Sequence, residues 1–391
     1  MTSNKPVVLQ LLSSVLLGGQ ENLLLSLLEA SVNTQQVDFV VVVMNTDIDP
    51  IQYEKLMALN IPLYFLNRKQ GHIHPKYFIS LLKIIRKHRV QIIHTHDFGA
   101  KFWSVLCKFF AWNLKLVFTM HNTLPVFRCP QVNQWISRHW VDMNISVSDS
   151  VEAILAKDDI SNQQLIPNGI NLKKFAQLPK SSFAPTLKLI NVARMVPEIK
   201  GQDILIEALH LCQQNNIPFH CTFVGEILPA FQPEFERLQS KAEQYGLLSC
   251  VDFHGPSAEV PALLKKQDLF ILPSRKEAFG LAIIEAMASG IPVIASSTEG
   301  PAEIITDQYN GLLFETENAI SLFEKIRFAY FNQAAMRQIA EQAYQDVKQY
   351  GIEQTLNLHE NFYKKLIIPT SRALIIELKS GSKKLLHATT Y

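Results

Sequence analysis

The chain has 391 residues, too many for one ordinary hydrophobic core and enough for two domains of about 150–200 residues each. Charged residues make up 18% and hydrophobic ones 48%, and the formal net charge of +2 describes a globular chain with no strongly charged partner such as nucleic acid. Five widely spaced cysteines, Cys107, Cys129, Cys212, Cys221 and Cys250, contain no Cys-x-x-Cys pair, which argues against a disulfide framework or zinc site and for a reducing cytosol.

No run reaches the roughly 18 apolar residues of a membrane span. The opening "NKPVVLQLLSSVLLGG" is interrupted by Gln10, Ser13 and Ser14 and lacks a convincing cleavage site, so it is not expected to be an export signal. Short β-rich runs follow at Val7–Leu12, Val37–Met44, Ile61–Leu66, Val90–His96, Leu114–Met120 and Met143–Ser148, with helical patterns between them. These runs are nearly continuous in apolar residues, the mark of parallel strands buried on both faces. From Leu165 to Thr186 Pro, Ser and Asn break the rhythm. Strand-like runs resume at Leu187–Arg194, Phe219–Gly225, Cys250–Gly255, Leu269–Ser274, Ile291–Ser296 and Gly311–Glu315, and Ser321 to Leu366 is helical throughout. The expected fold is α/β, two doubly wound Rossmann-like domains facing a central cleft. The expected division is residues 1–175, a linker 176–186, a second domain 187–348, and a helix and tail 349–391 returning to the first domain.

Within "SRKEAFGLAIIEAMASGIPVIASS" one charged residue, Glu285, stands among apolar ones between Ala278 and Thr298. The pattern is strand, loop, helix and strand, and the helix is apolar all round, hence buried. Loops at the carboxyl ends of parallel strands are where ligands bind in such sheets. A helix start there, opened by Gly280, is suited to phosphate. Glu285 lies about 7 Å further along the axis, within reach of a ribose. Two readings stand: a ligand supplies its hydrogen-bond donors, or it pairs with a buried Lys or Arg.

Glu277 and Glu285 in "EAFGLAIIE", preceded by "FILPSRK", resemble the paired-glutamate motif of the retaining glycosyltransferases of family 4, which have the two-domain GT-B fold. The resemblance extends to "LLGGQENLL", "FTMHN", "ISVSDSV", "LIPNGINLKKF", "NVARMVPEIKGQDILIEAL", "FVGE" and "TEGPAEII", all in the family's order, from about residue 7 to 365. It implies that Arg194 and Lys200 hold the donor's diphosphate, with Glu285 on the ribose and Glu277 on a sugar hydroxyl. Ala278, Phe279, Gly280 and Leu281 would meet the phosphate and sugar, and Gly225 and Glu226 the nucleobase. Gly18 and Gly19 would lie near donor and acceptor, with His121 against the reacting sugar.

The implied reaction transfers a sugar, with retention and without a metal or other cofactor, from a UDP- or GDP-linked donor. The acceptor is a glycan or lipid-linked glycan hydroxyl, in bacterial surface polysaccharide or lipopolysaccharide synthesis. Three alternatives remain: a nucleotide-sugar epimerase, a glycan phosphorylase of similar shape, and a nucleotide- or sugar-binding protein without activity. His94 and His96 share a strand face, yet no further ligands complete a metal sphere, so structural roles are expected. Asp47 and Asp49 in "DID" read as an acidic turn. Between Lys76 and Lys115 eight basic residues face a single acid, Asp97, in two basic, aromatic stretches. These suit an anionic membrane surface. The expected location is cytoplasmic, peripheral at the inner face of the membrane.

Overall fold

The computed structural model describes residues 5–16, 18–121, 130–180 and 183–368. The first sheet comprises β1 (Val7–Leu12), β2 (Asp38–Asn45), β3 (Leu63–Arg68), β4 (Ile92–Thr95), β5 (Lys115–Met120), β6 (Met143–Ser146) and β7 (Gln163–Leu165). Its order is β3-β2-β1-β4-β5-β6-β7 with every pairing parallel. The second comprises β8 (Leu187–Val192), β9 (Phe219–Val224), β10 (Val251–Gly255), β11 (Leu269–Leu272), β12 (Val293–Ser296) and β13 (Leu312–Phe314), ordered β10-β9-β8-β11-β12-β13 and again all parallel. Each order reverses beside its first strand, and that switch point opens a crevice beyond the strands' carboxyl ends.

The apolar runs form strands because helices cover both faces: Val40 to Met44 of β2 and Leu269 to Leu272 of β11 are all buried. The segment that could be misread as an export signal contains β1, paired on both sides inside its sheet. Strand starts shift where proline intervenes: β3 begins after Pro62 and β12 after Pro292, residues that have no N–H to give. Their carbonyls still accept from Val41 (2.9 Å) and Phe270 (3.0 Å).

Helix Leu281–Ala288 is apolar all round because it lies where the domains meet. Its Ile283, Ile284 and Met287 share one core cluster with Val147 and Val151 of the first domain. Polar contacts close the same seam: Ser148 Oγ donates to the Ala278 carbonyl (2.6 Å), and the Glu303 carboxylate accepts from the amides of Asp149 and Ser150, both at 2.8 Å.

The chain crosses between domains twice, and the crossings run side by side. The Ile170 amide donates to the Tyr350 carbonyl (2.9 Å) and the Ile352 amide to that of Ile170 (2.8 Å). Helix Ile352–Ile367 then packs on the first domain, its Ile352 and Leu356 against Leu23 and Leu27 of helix Gly19–Thr34. The tail from residue 369 onward lies outside the described residues.

Candidate active site

Gly18 and Gly19 follow β1 and open helix Gly19–Thr34. A Cβ on Gly18 would sit 2.5 Å from Glu21 Oε2 and 3.3 Å from Arg194 Nη2, and one on Gly19 would sit 3.2 Å from Leu281 Cδ1. The glycine turn of the first domain therefore presses on two expected donor residues of the second, and the carboxyl ends of β1 and β8 face one another. A side chain at either glycine would have to displace the Glu21, Arg194 or Leu281 side chain.

Arg194 follows β8, and its backbone carbonyl accepts from Gln202 Nε2 (2.9 Å), which fixes the loop. Lys200 ends a short helical turn, and its Nζ donates to Glu277 Oε2 at 2.7 Å, to which Ser274 Oγ also donates at 3.3 Å. The pair is partly open to solvent, with side chains 25% and 16% exposed, so both partners remain available to a ligand. Arg275, beside them, is held in place by Asp203 through two bonds of 2.7 and 2.8 Å. It serves the loop that carries Glu277.

Gly280 caps helix Leu281–Ala288 at φ +106°, a conformation that favours glycine. The Ile283 amide donates to the Gly280 carbonyl (2.9 Å), and the amides before it have no acceptor within the helix, as at any helix start. The loop before the helix, which bears Ala278 and Phe279, rests on Gly300, where a Cβ would lie 2.5 Å from the Glu277 carbonyl. Glu285 is partly buried one turn on, and burial pushes its carboxyl up to about 8. No group among the described residues donates to its carboxylate, so the reading in which a buried Lys or Arg pairs with it is corrected. The surrounding helix is packed with hydrocarbon and places no cation there.

Gly225 follows β9, beside the neighbouring strand end, and a Cβ there would lie 1.8 Å from the Ala193 carbonyl oxygen. Glu226 follows, its carbonyl accepting from the Met195 amide (2.9 Å). Glu21 was missed in the sequence. Its Oε2 is buried with no donor among the described residues, and burial raises its pKa while Arg194 pulls it down and Asp97 and Glu226 push it up. The signal was an acid in the first turn of a glycine-opened helix, where the helix dipole favours negative charge.

His121 stands at the carboxyl end of β5, partly buried; the following Asn122 of its motif lies outside the described residues. Its Nε2 is 3.0 Å from His96 Nδ1, and the two rings stack at 5.3 Å. His96 Nε2 is 2.9 Å from Gln10 Oε1. His94 Nδ1 meets Tyr363 Oη at 2.6 Å and its Nε2 meets Thr119 Oγ1 at 2.7 Å. Burial lowers all these imidazoles, His121 to about 3 and His359, also in the group, to about 4. Four ring nitrogens of His94 and His96 are thus engaged within a polar network, and among the described residues no set of three or more His, Cys, Asp or Glu side chains could hold a metal ion. Asp49 of the "DID" turn caps helix Pro50–Met57, accepting from the amides of Ile51 and Gln52.

The basic stretch from Lys76 to Lys115 divides. Lys101 is fully buried, its Nζ 2.8 Å from Ser137 Oγ and 3.7 Å from the Phe118 ring centre. Lys108 and Lys115 both pair with Asp142, at 2.5 and 3.2 Å. These contacts narrow the expected basic surface: Lys101 of helix Phe98–Lys108 is buried, and Lys108 and Lys115, the latter on β5, are paired. Lys76, Lys83, Arg86, Lys87 and Arg89 remain exposed.

Two doubly wound parallel domains, joined by paired crossings and meeting at the carboxyl ends of their first strands, define the GT-B architecture. Residues 17–174 match the family described as Glycosyltransferase Family 4, and residues 175–346 match Glycosyl transferases group 1. The chain belongs to this family of glycosyltransferases. A putative colanic acid biosynthesis glycosyltransferase, WcaL, of Escherichia coli K12 is 31% identical over 209 residues, 51% of this chain and 50% of that protein. An Escherichia coli UDP-Gal:alpha-D-GlcNAc-diphosphoundecaprenol alpha-1,3-galactosyltransferase is 26% identical over 284 residues, 64% of this chain and 69% of that protein. The chain thus spans about half the length of the first of these relatives. The solved structure of Anabaena Alr3699/HepE, in complex with UDP and glucose, has the same fold, with a TM-score of 0.79 at 21% identity over 92% of this chain and 100% of that one.

Proposed function

We propose that this protein transfers a sugar from a nucleoside-diphosphate sugar to a hydroxyl of a glycan or lipid-linked glycan, with retention, in the assembly of a bacterial surface polysaccharide. The observation that carries the reading is Glu285. Its carboxylate has no donor among the described residues and lies about 7 Å beyond a glycine-opened helix start. A diphosphate at that start and a ribose at Glu285 satisfy both. Arg194 and Lys200 would balance the charge that gathers on the departing diphosphate, so the reaction needs no metal. The acceptor hydroxyl would attack on the face from which the nucleotide leaves, passing its proton to the departing phosphate oxygen. His121 and Glu277 would hold the sugar. The names of the two Escherichia coli relatives favour surface-polysaccharide chemistry, and that of the galactosyltransferase favours UDP as the nucleotide and a diphospholipid-linked acceptor.

Thermal unfolding in EDTA with UDP, GDP, ADP or CMP tests the donor site. At 100 times its dissociation constant the right nucleotide should add about 2.7 kcal/mol to stability. A shift with UDP or GDP alone is expected, and no shift with any of the four would count against the reading.

No helix among the described residues is long and apolar enough to cross a membrane. Contact with the inner face of the membrane instead suits the surface beside helix Pro75–His88. Phe109, Phe110, Trp112 and Trp135 are 52, 61, 90 and 52% exposed. The Phe110 ring lies 5.2 Å from Phe78 on that helix, next to the exposed Lys83, Arg86, Lys87 and Arg89. Aromatic wedges beside cations suit an anionic bilayer. The protein should float with phosphatidylglycerol vesicles at low salt and not with phosphatidylcholine. Replacing Phe110 and Trp112 by serine should weaken that binding tenfold or more, and equal binding to both lipids would sink the idea.

A further inference from the structure

The polar network behind His121 fixes where its proton lies. Gln10 is 3% exposed on β1, and its amide has one accepting and one donating end. The Nε2 end donates to Tyr363 Oη at 3.4 Å, a residue of helix Ile352–Ile367 that is 1% exposed. The Oε1 end faces His96 Nε2 at 2.9 Å and can only accept, so His96 carries its proton on Nε2. Buried among neighbouring imidazoles, His96 is neutral, and its Nδ1 is therefore a bare lone pair. His121 Nε2, 3.0 Å away, must donate to it. His121, neutral for the same reason, is left with an unprotonated Nδ1.

We propose that Gln10 and His96 are positioning residues that hold His121 as its Nε2–H tautomer, so that its Nδ1 accepts a hydrogen bond from a hydroxyl of the transferred sugar. This rests on the donor-site reading above. It adds that the sugar must present a hydroxyl that donates at this point, so a donor deoxygenated there loses the contact. Tyr363 makes the arrangement depend on the returning helix, since it occupies the donating end of Gln10 and so orients the amide. Its own proton then has His94 Nδ1 as acceptor at 2.6 Å.

The tautomer can be read without any substrate. In the full chain labelled with 15N-histidine, long-range 15N–1H correlation spectra report which nitrogen of each ring is protonated, with His121 assigned by its loss in His121→Gln. The expected result is a protonated Nε2 and a bare Nδ1. His96→Asn places an amide oxygen where Nδ1 was and should preserve both the tautomer and kcat/KM within about threefold. His96→Leu should mix the tautomers and lower kcat/KM for the nucleotide sugar about tenfold, with unchanged affinity for the nucleoside diphosphate, which lacks the sugar His121 would hold. Should His96→Leu fail to fold, the unmodified chain and His96→Asn still decide. A proton on His121 Nδ1 in the unmodified chain, or an unchanged tautomer in folded His96→Leu, overturns the proposal. A chain that binds no nucleotide but shows the expected tautomer would refute the donor reading and leave the relay intact.

Discussion

Lys200→Ala is expected to lower kcat for sugar transfer about 10²–10³-fold, the usual loss when one preorganised group that stabilises developing charge is removed. Its stability cost should be small. The Lys200–Glu277 pair is partly solvated, with side chains 25% and 16% exposed, and such pairs contribute about 1 kcal/mol or less. Truncation does more than delete a cation. It leaves Glu277 with Ser274 Oγ, 3.3 Å away, as its partner among the described residues, so a carboxylate formerly neutralised would face the incoming diphosphate. A double variant, Lys200→Ala with Glu277→Gln, should therefore lose less than the two single effects multiplied together, because the groups act as a unit. Steady-state rates for the four proteins, beside their melting curves, check this. A folded Lys200→Ala with unaltered kcat would remove Lys200 from the mechanism.

Glu285→Gln should move stability and binding in opposite directions. Burial holds the folded carboxyl at about 8, against an ordinary value of 4.5. Between those values the folded state binds more protons than the unfolded one, so this group's contribution to stability is present at low pH and falls as pH rises through the window. A neutral glutamine removes that loss. The free variant should match the parent near pH 4 and exceed it by about 4–5 kcal/mol at pH 8.5. Nucleotide binding should weaken about 10–100-fold, because ribose hydroxyls donate better to an ionised carboxylate than to an amide. Melting curves at pH 5, 7 and 8.5, with and without nucleotide, report both. A variant less stable than its parent at every pH would mean that the carboxylate has a donor in the free protein.

Much of this arrangement is legible in the linear sequence for one physical reason. Parallel strands covered on both faces are nearly unbroken apolar runs, so twelve of the strands announce themselves; β7, three residues at a sheet edge containing Gln163 and Gln164, does not. Glu285 and the loop before its helix are legible because a carboxylate in a hydrophobic helix violates its surroundings. What stays hidden depends on contacts between distant segments. Tyr363 meets His94 across 269 positions of sequence, and no local pattern marks either as a partner of the other. Lys101 hides similarly: on an amphipathic helix a lysine reads as solvated, and only the fold shows it against Phe118 and Ser137.

The returning helix also bears on how the chain is made. Synthesis runs from the amino end, and domains ordinarily fold as they emerge. Here β1 and β4 leave the ribosome early, yet the phenol that fills the space between Gln10 and His94 belongs to residue 363, and Phe362 and Tyr363 complete the same apolar cluster as Val8 and Leu28. The second domain, by contrast, has its six strands once β13 is out, and its main apolar cluster is complete among the described residues by Ile339. The domain translated first is thus finished after the second, and its histidines wait in an incomplete interior until Tyr363 has been made.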